Sequence, residues 1–440
     1  MTANTVEAPI TLVLPPPRTL GLLDQLGLWA NLGISLLIPV TATFLAPPGQ
    51  SFLATLTAIV VGTTLGCLLL GLVAQAGAEA GAPSMVLLRG LLGRRGSYLP
   101  TALNLLQCVG WATYEVWVIS AAGHAVWPTV PRWGYVLVAG GFATAMALRP
   151  LGSVRLLKRI AVVAVVACSA YFLIETMRRP LGSLAGGGWT GFWTSTDLVI
   201  ALPVSWIPLV ADYSRFSRTG RAAFLGTGAA YAVSSGAFFL LGVLALRAYP
   251  NATQDVVGAL LAVPAGALAL VILAVDEVDE AFANIYSTAT SAQNVAPRAD
   301  RRLLALLVGG LATVLALAVN GSSYQPFLFL IGAVFVPLAA TFLVDYYLGG
   351  RRDRYDVGER APQRWLMSLP WAAGFVAYQV TTPTQLPSWA GWAGFWGHVQ
   401  DALHVSSTNG FSASIVSFAV AALLTPLCWQ LSAGQAVGSR

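Results

Sequence analysis

Charged side chains are scarce in this sequence: Asp, Glu, Lys and Arg together make up 10% of its 440 residues. Soluble domains carry roughly a quarter, and so few charges could not cover the water-facing surface of a 46.1 kDa chain. A water-soluble enzyme is thereby excluded. Cysteine is sparse too, and Cys67, Cys108, Cys168 and Cys428 each sit in a separate apolar run. That excludes a secreted disulfide scaffold and leaves them as small core residues. The three histidines, His124, His398 and His404, fall outside the apolar cores and lack the spacing of a metal-ligand set. What the chain has in abundance is apolar residues, 56% of the total, with a mean hydropathy of +0.71. The solvent these numbers require is the bilayer.

Apolar stretches of spanning length recur at approximately 24–45, 51–75, 100–127, 132–149, 158–177, 195–212, 222–247, 257–292, 303–319, 324–347, 364–380 and 412–431. They predict an all-α integral membrane protein of about twelve spans. A weaker stretch, Trp389, Trp392, Phe395 and Trp396, suits an interfacial aromatic belt better than a further span. The net charge of +6 comes in short basic clusters between spans, which is a topology signal and not a nucleic-acid surface. With the N-terminus inside, only Arg132, Arg178, Arg179 and Arg247 lie outside, and the other 20 basic residues face the cytoplasm. This predicts a multi-pass protein of the cell membrane with both termini cytoplasmic. Residues 1–23 contain Pro15, Pro16 and Pro17 and no apolar core behind a basic start, so they read as a cytoplasmic tail and not as a cleaved signal.

Two spans carry helix breakers. The first contains Gly33 and Pro39, and the sixth has Pro203 and Pro208 around Ser205 and Trp206. Each opens a block of five spans, 24–177 and 195–347, and residues 348–440 add two more helices and a short tail. The pattern is that of an inverted repeat of five plus five, in which broken helices expose backbone groups near the bilayer midplane.

Ionisable groups inside spans are the sharpest functional signal, because an isolated charge at the bilayer centre costs roughly 3 kcal/mol or more. In the third span Trp111 and Glu115 lie one helical turn apart on one face. In the eighth, Asp276, Glu277, Asp279, Glu280 and Asn284 stand where lipid-facing leucines are expected, with Asp276, Glu280 and Asn284 on one four-residue stripe. No Lys or Arg lies in any predicted span core. So many acids cannot all be ionised there without a cation, and some face a bound ion or a water-filled cavity. A flat polar heterocycle fits beside the tryptophans, its ring stacked and its edge read by carboxyl and amide groups.

At these residues the sequence resembles the nucleobase:cation symporters, the family of the cytosine permeases and the bacterial hydantoin permease. The resemblance covers nearly the whole chain. It rests on Gly81-Ala-Pro-Ser-Met-Val-Leu-Leu-Arg89 with Gly93 to Pro100, on Gly110-Trp111, on Pro208-Leu-Val-Ala-Asp212-Tyr-Ser-Arg215 and on Asp345-Tyr346-Tyr347. Asp276 through Asn284-Ile-Tyr-Ser287 and Ser291-Ala-Gln-Asn294 look most like the branch of hydroxymethylpyrimidine permeases, associated with supply of the thiamin precursor. The resemblance implies the five-plus-five fold and a cation-driven alternating-access cycle. It implies a ring held between Trp111 and Trp206, with Glu115 where the hydantoin permease has glutamine, and with Asn284, Ser35 and Ser205 completing the substrate set. It places the cation on carbonyls of Asn31 and Ile34 and on Val275, Val278 and Asp279. The last two are hydroxyl residues in the hydantoin permease, so the coupling ion is left open between Na⁺ and H⁺. Asp276 and Glu280 are candidates for an ion or proton relay.

The expectation is a cation-coupled importer of a planar nitrogen heterocycle, foremost hydroxymethylpyrimidine, with a cytosine, purine or hydantoin permease as the alternative. No cofactor beyond the coupling ion, no nucleic acid and no obligate protein partner is expected. An intramembrane enzyme would need a nucleophile with its base, or a metal motif, and neither is recognisable. Asp212 and Asp345, at helix ends beside Arg215 and Arg351, read as surface ion pairs or gates, and Trp117 as packing.

Overall fold

The computed structural model describes residues 16–148, 155–182, 184–250, 256–350, 352, 355–386, 391–405 and 410–438; Pro15, Arg351 and Trp389 lie outside them. The first span is in two pieces. Helices α1 (Leu22–Leu32) and α2 (Leu37–Thr41) are separated by residues 33–36, and the chain bends there by 51°. A Cβ at Gly33 would come within 2.0 Å of Ser234 Oγ, so the break is pressed against a neighbouring helix where only glycine fits without displacing it. Next come α3 (Phe52–Ala80), α4 (Ser84–Leu92), α5 (Tyr98–Val126), α6 (Arg132–Ala147) and α7 (Arg155–Met177).

The sixth span is α8 (Phe192–Ser205) and α9 (Ile207–Ser214), joined through Trp206. Pro203 and Pro208 remove two backbone donors, and the helix tightens, with Trp206 N–H on the Pro203 carbonyl and Leu209 N–H on that of Trp206. The Ser205 carbonyl turns to another helix and accepts from Gln107 Nε2 at 2.8 Å. The chain continues as α10 (Gly220–Ala248), α11 (Val256–Leu261), α12 (Gly266–Val295), α13 (Arg301–Ala318) and α14 (Tyr324–Leu343), the last prolonged by one π-helical turn, Val344–Leu348. The final helices are α15 (Ser368–Thr381), α16 (Gly391–Ala402) and α17 (Ala413–Gly438).

The long helices fall on the apolar stretches read from the sequence, α4 lies between two of them, and one stretch needs correction. The stretch expected as a single span at 257–292 is the short α11 followed by α12, because Pro264 interrupts it and Ala265 adopts a left-handed φ of 52°. The aromatic stretch forms α16, whose 12 residues are too short to cross a bilayer. Among the described residues five helices are by themselves long and apolar enough to span, and the bent pair α1–α2 makes a sixth. Helices α5 and α12 have the length, and the polar side chains they carry into the bundle lower their hydropathy.

The α8–α9 span is the most enclosed, and glycines on α3 let it approach. A Cβ at Gly62 would lie 2.6 Å from Val199, and one at Gly66 would lie 2.4 Å from Pro203. Small residues at such crossings let backbones pack closely, which is what holds helices together in lipid. Gly66→Ala should therefore force α3 and α8 apart, an overpacking cost of about 1–3 kcal/mol. A thermal-shift assay in detergent should show a melting temperature several degrees lower for Gly66→Ala and an unchanged one for Gly310→Ala, where the site is open.

Candidate functional site

The two breaks and three intact helices enclose one cleft. It is lined by Ser35 and Ile38 from the first span, Trp111 and Glu115 from α5, and Leu202, Ser205 and Trp206 from the sixth span. Tyr231 comes from α10, and Glu280 and Asn284 from α12. The cavity left between them is tight, about 10 Å³, room for roughly one water molecule. The helical period builds the two polar walls. Trp111 and Glu115 are four apart on α5, as are Glu280 and Asn284 on α12, so each pair shares one face. Tertiary packing then sets these two faces against each other, and the Asn284 amide bridges them, donating to Glu115 Oε1 at 2.8 Å and to the Glu280 carbonyl at 3.2 Å.

The aromatic rings are fixed from behind. Trp206 donates through Nε1 to the Tyr231 hydroxyl at 3.0 Å and meets Trp29 edge-on at 5.7 Å. Trp111 is held edge-on by Phe327 at 5.4 Å and Tyr324 at 6.0 Å. Three polar atoms of the cleft are buried and make no hydrogen bond: Glu115 Oε2, Trp111 Nε1 and Glu280 Oε1. A buried polar atom left without a partner costs roughly 1–3 kcal/mol, so such a group of atoms marks a place where a ligand supplies the complement.

All six residues expected to touch substrate, Ser35, Trp111, Glu115, Ser205, Trp206 and Asn284, line this cleft, and Glu280 joins them. The residues expected at the cation site are set apart from it. Asn31 and Ile34 lie where α1 gives out, and the Asn31 carbonyl there accepts from the Ile34 N–H at 2.9 Å. Val278 and Asp279 lie on α12, and Val275 turns its side chain outward, 63% exposed. Since α12 runs without interruption from Gly266 to Val295, the two valines can offer a cation only carbonyls already engaged in the helix. Asp276 is buried on α12, one turn before Glu280.

Sequence reasoning left four lining or supporting residues unassigned. Ile38, Leu202 and Tyr231 carry no sequence signal beyond their apolar character. Glu277 does carry one: it shares the α12 face of Glu280 and Asn284 at spacings of three and four, and its carboxyl group reaches the break of the first span.

Several helix ends are tied together by polar contacts. The Ser84 N–H donates to Asp212 Oδ1 at 3.0 Å, while Ser84 Oγ accepts from the Ala211 N–H at 2.9 Å. Arg89, 1% exposed, donates to Asn294 Oδ1 at 2.7 Å, and Asn294 donates to Ser97 and Thr101. The expected surface pairing of Asp345 is corrected: Asp345 is fully buried and receives both Arg364 nitrogens at 2.7 Å and Trp429 Nε1 at 2.9 Å. Trp117 lies away from the cleft, under the Arg132 guanidinium.

Comparison with known proteins agrees with this architecture. The model of the family described as permease for cytosine/purines, uracil, thiamine, allantoin matches residues 16–358. A protein of Bacillus subtilis (strain 168) named as a purine-cytosine permease, YxlA, is 26% identical over 361 residues, covering 76% of this chain and 77% of that one. Among solved structures, the inward-facing conformation of Mhp1 superposes with a TM-score of 0.74 at 17% identity, covering 98% of this chain and 94% of Mhp1. Mhp1 closed around bromovinylhydantoin, described as a nucleobase-cation-symport-1 family transporter, gives 0.73 at 16% identity, with 98% and 96% covered. A Na⁺-coupled sialic acid symporter in its outward-open state gives 0.60 at 12% identity, with 93% and 90% covered. The chain belongs to the permease family for cytosine/purines, uracil, thiamine and allantoin, the nucleobase:cation symporters, and is a membrane transporter, not an enzyme.

Proposed function

We propose that the cleft binds a planar nitrogen heterocycle and that the protein imports it in a cation-coupled cycle, with hydroxymethylpyrimidine the substrate that fits best. The observation that carries this reading is the pairing of Glu115 Oε2, buried and without a hydrogen bond, with the ring of Trp111 one helical turn away. A 4-aminopyrimidine presents an amino donor next to a ring-nitrogen acceptor. A carboxyl group in its acid form presents the matching acceptor and donor in one plane. Cytosine offers the same edge, which keeps a cytosine permease as the second reading. A purine or hydantoin permease is the third. The coupling ion is Na⁺ or H⁺, with Asp279, beside Asn31 and Ile34 of the broken first span, as its proposed site and Asp276 and Glu280 as relay groups; Val275 and Val278, whose carbonyls are engaged within α12, are left out of it. Residues 24–177 and 195–347 form the two inverted repeats, 348–440 add two transmembrane helices, and both termini face the cytoplasm of a cell-membrane protein. Radiolabelled uptake into proteoliposomes, with pyrimidines and purines and imposed Na⁺ or H⁺ gradients, tests the whole reading. Accumulation of none of these ligands would overturn it.

Three expectations follow for variants. Trp111→Ala or Trp206→Ala should weaken ligand binding by about 1–3 kcal/mol, the value of a base stacked on an aromatic side chain. Calorimetry on the folded variants checks this, and unchanged affinity in both would remove the stacking role. Glu115→Gln, which keeps an acceptor and a donor in one plane, should retain aminopyrimidine binding, whereas Glu115→Ala should lose it along with discrimination between amino and oxo rings. Equal affinity and selectivity in the alanine variant would make Glu115 structural. Asp279→Asn should abolish gradient-driven accumulation while ligand exchange continues. Concentrative uptake at the wild-type level would move the coupling site to Asp276 or Glu280.

A further inference from the structure

Glu277 is 1% exposed and has no part in the reading above. Each of its carboxylate oxygens receives one donor from the break in the first span. The Ser35 hydroxyl donates to Oε1 at 2.8 Å, and the Leu36 N–H donates to Oε2 at 2.7 Å. Ser35 Oγ accepts in turn from the Leu37 N–H at 3.1 Å. A serine hydroxyl has one hydrogen and two lone pairs. Here the hydrogen is given to Glu277 and one lone pair to Leu37. What Ser35 keeps for the cleft it lines is a single lone pair.

We propose that Glu277 is a positioning residue that sets ligand specificity: by taking the hydrogen of Ser35 it makes that wall of the cleft a pure acceptor, selective for a ligand edge that presents an N–H. The inference rests on the reading of the cleft as a heterocycle site and deepens it, since it assigns a hydrogen-bond polarity to one wall and names the residue that imposes it. Glu277 touches no ligand in this account and acts through Ser35.

Exchanging the carboxylate for an amide reverses the polarity. The Leu36 N–H belongs to the backbone and cannot become an acceptor, so in Glu277→Gln the amide carbonyl faces it and the amide N–H₂ faces Ser35. Both Ser35 lone pairs are then filled, one by Leu37 and one by the glutamine, and the hydroxyl hydrogen is released toward the cleft. The same serine, unmoved, becomes a pure donor and selects an oxo or ring-nitrogen edge. Loss of packing alone would weaken all ligands alike. The polarity reversal changes the ratio between ligands.

The test compares pairs of ligands that exchange a donor for an acceptor at one edge: cytosine with uracil, hydroxymethylpyrimidine with its 4-oxo analogue, and isocytosine with uracil. Affinities are measured by calorimetry on the purified full-length protein. The pair whose variable edge faces Ser35 should favour the amino member in the wild type and shift by about tenfold toward the oxo member in Glu277→Gln. Ser35→Ala should abolish that preference, and adding Glu277→Gln to it should move the ratio no further. An unmoved ratio in Glu277→Gln for all three pairs, or an equal shift in the Ser35→Ala background, overturns the inference. If Glu277→Gln is not recovered folded, Ser35→Ala decides alone: loss of the preference supports the assignment and its retention overturns it. Should the wild type bind none of these ligands, the heterocycle reading falls and this inference with it, whereas a normal wild-type profile with an unmoved ratio overturns this inference alone.

Discussion

Hydrocarbon has no hydrogen-bonding partner to give to a freed backbone amide, and the break in the first span frees one at Leu36. The protein answers with a carboxylate from another helix, Glu277 Oε2 at 2.7 Å. Much of the site follows from that contact. It fixes the bend between α1 and α2, brings Ser35 to the cleft wall, and joins the first span to α12 at the level of Glu280 and Asn284. It also places an acid in the interior of the bundle, among Glu115, Asp276 and Glu280, all buried. No lysine or arginine lines the cleft, so the surplus negative charge has to be balanced by protons or by a cation.

Other polar side chains in the bundle tie helix ends to one another. The broken sixth span is secured at both ends. Near its start, Asp197 accepts from the N-terminus of α17, with the Ala413 N–H at 2.8 Å and the Ser414 N–H at 3.1 Å, a carboxylate at the positive end of a helix. At its far end Asp212 takes the Ser84 N–H of α4. The last helix, α17, is thus bonded directly to the half-helix that carries Leu202 and Ser205. Arg89 with Asn294, and Arg364 with Asp345, do the same work for α4, α12 and α14. Each of these contacts satisfies a helix terminus or a buried charge, which is the only inexpensive way to place polar atoms at membrane depth.

Much of the cleft was legible in the sequence. The scarcity of charge fixed the solvent as lipid, and in lipid each acid inside a span is conspicuous because leucine would be the default. Trp111 and Glu115 could be placed on one face from their four-residue spacing, and Asn284 beside Glu280 for the same reason. The breaks at Gly33 and around Pro203 and Pro208 were visible because glycine and proline act through local backbone geometry. The partner of Asp345 was read wrongly as a near neighbour in sequence, since proximity along the chain says little about what meets a side chain at a helix end. Arg364 reaches it from 19 residues away.

By itself the sequence determined what depends on composition and on short periodicity: a helical membrane protein, the positions of its breaks, the faces on which its acids and tryptophans lie, and the family to which it belongs. Tertiary structure decided which faces meet. That Asn284 bridges to Glu115 across 169 residues, that Tyr231 steadies Trp206, and that Glu277 serves the break at Ser35 and Leu36 across more than 240 residues depends on how helices distant in sequence cross. Helix crossings are set by close fit, as where Gly62 and Gly66 of α3 meet α8. The fit is a matter of a few tenths of an ångström between surfaces that no local pattern brings together.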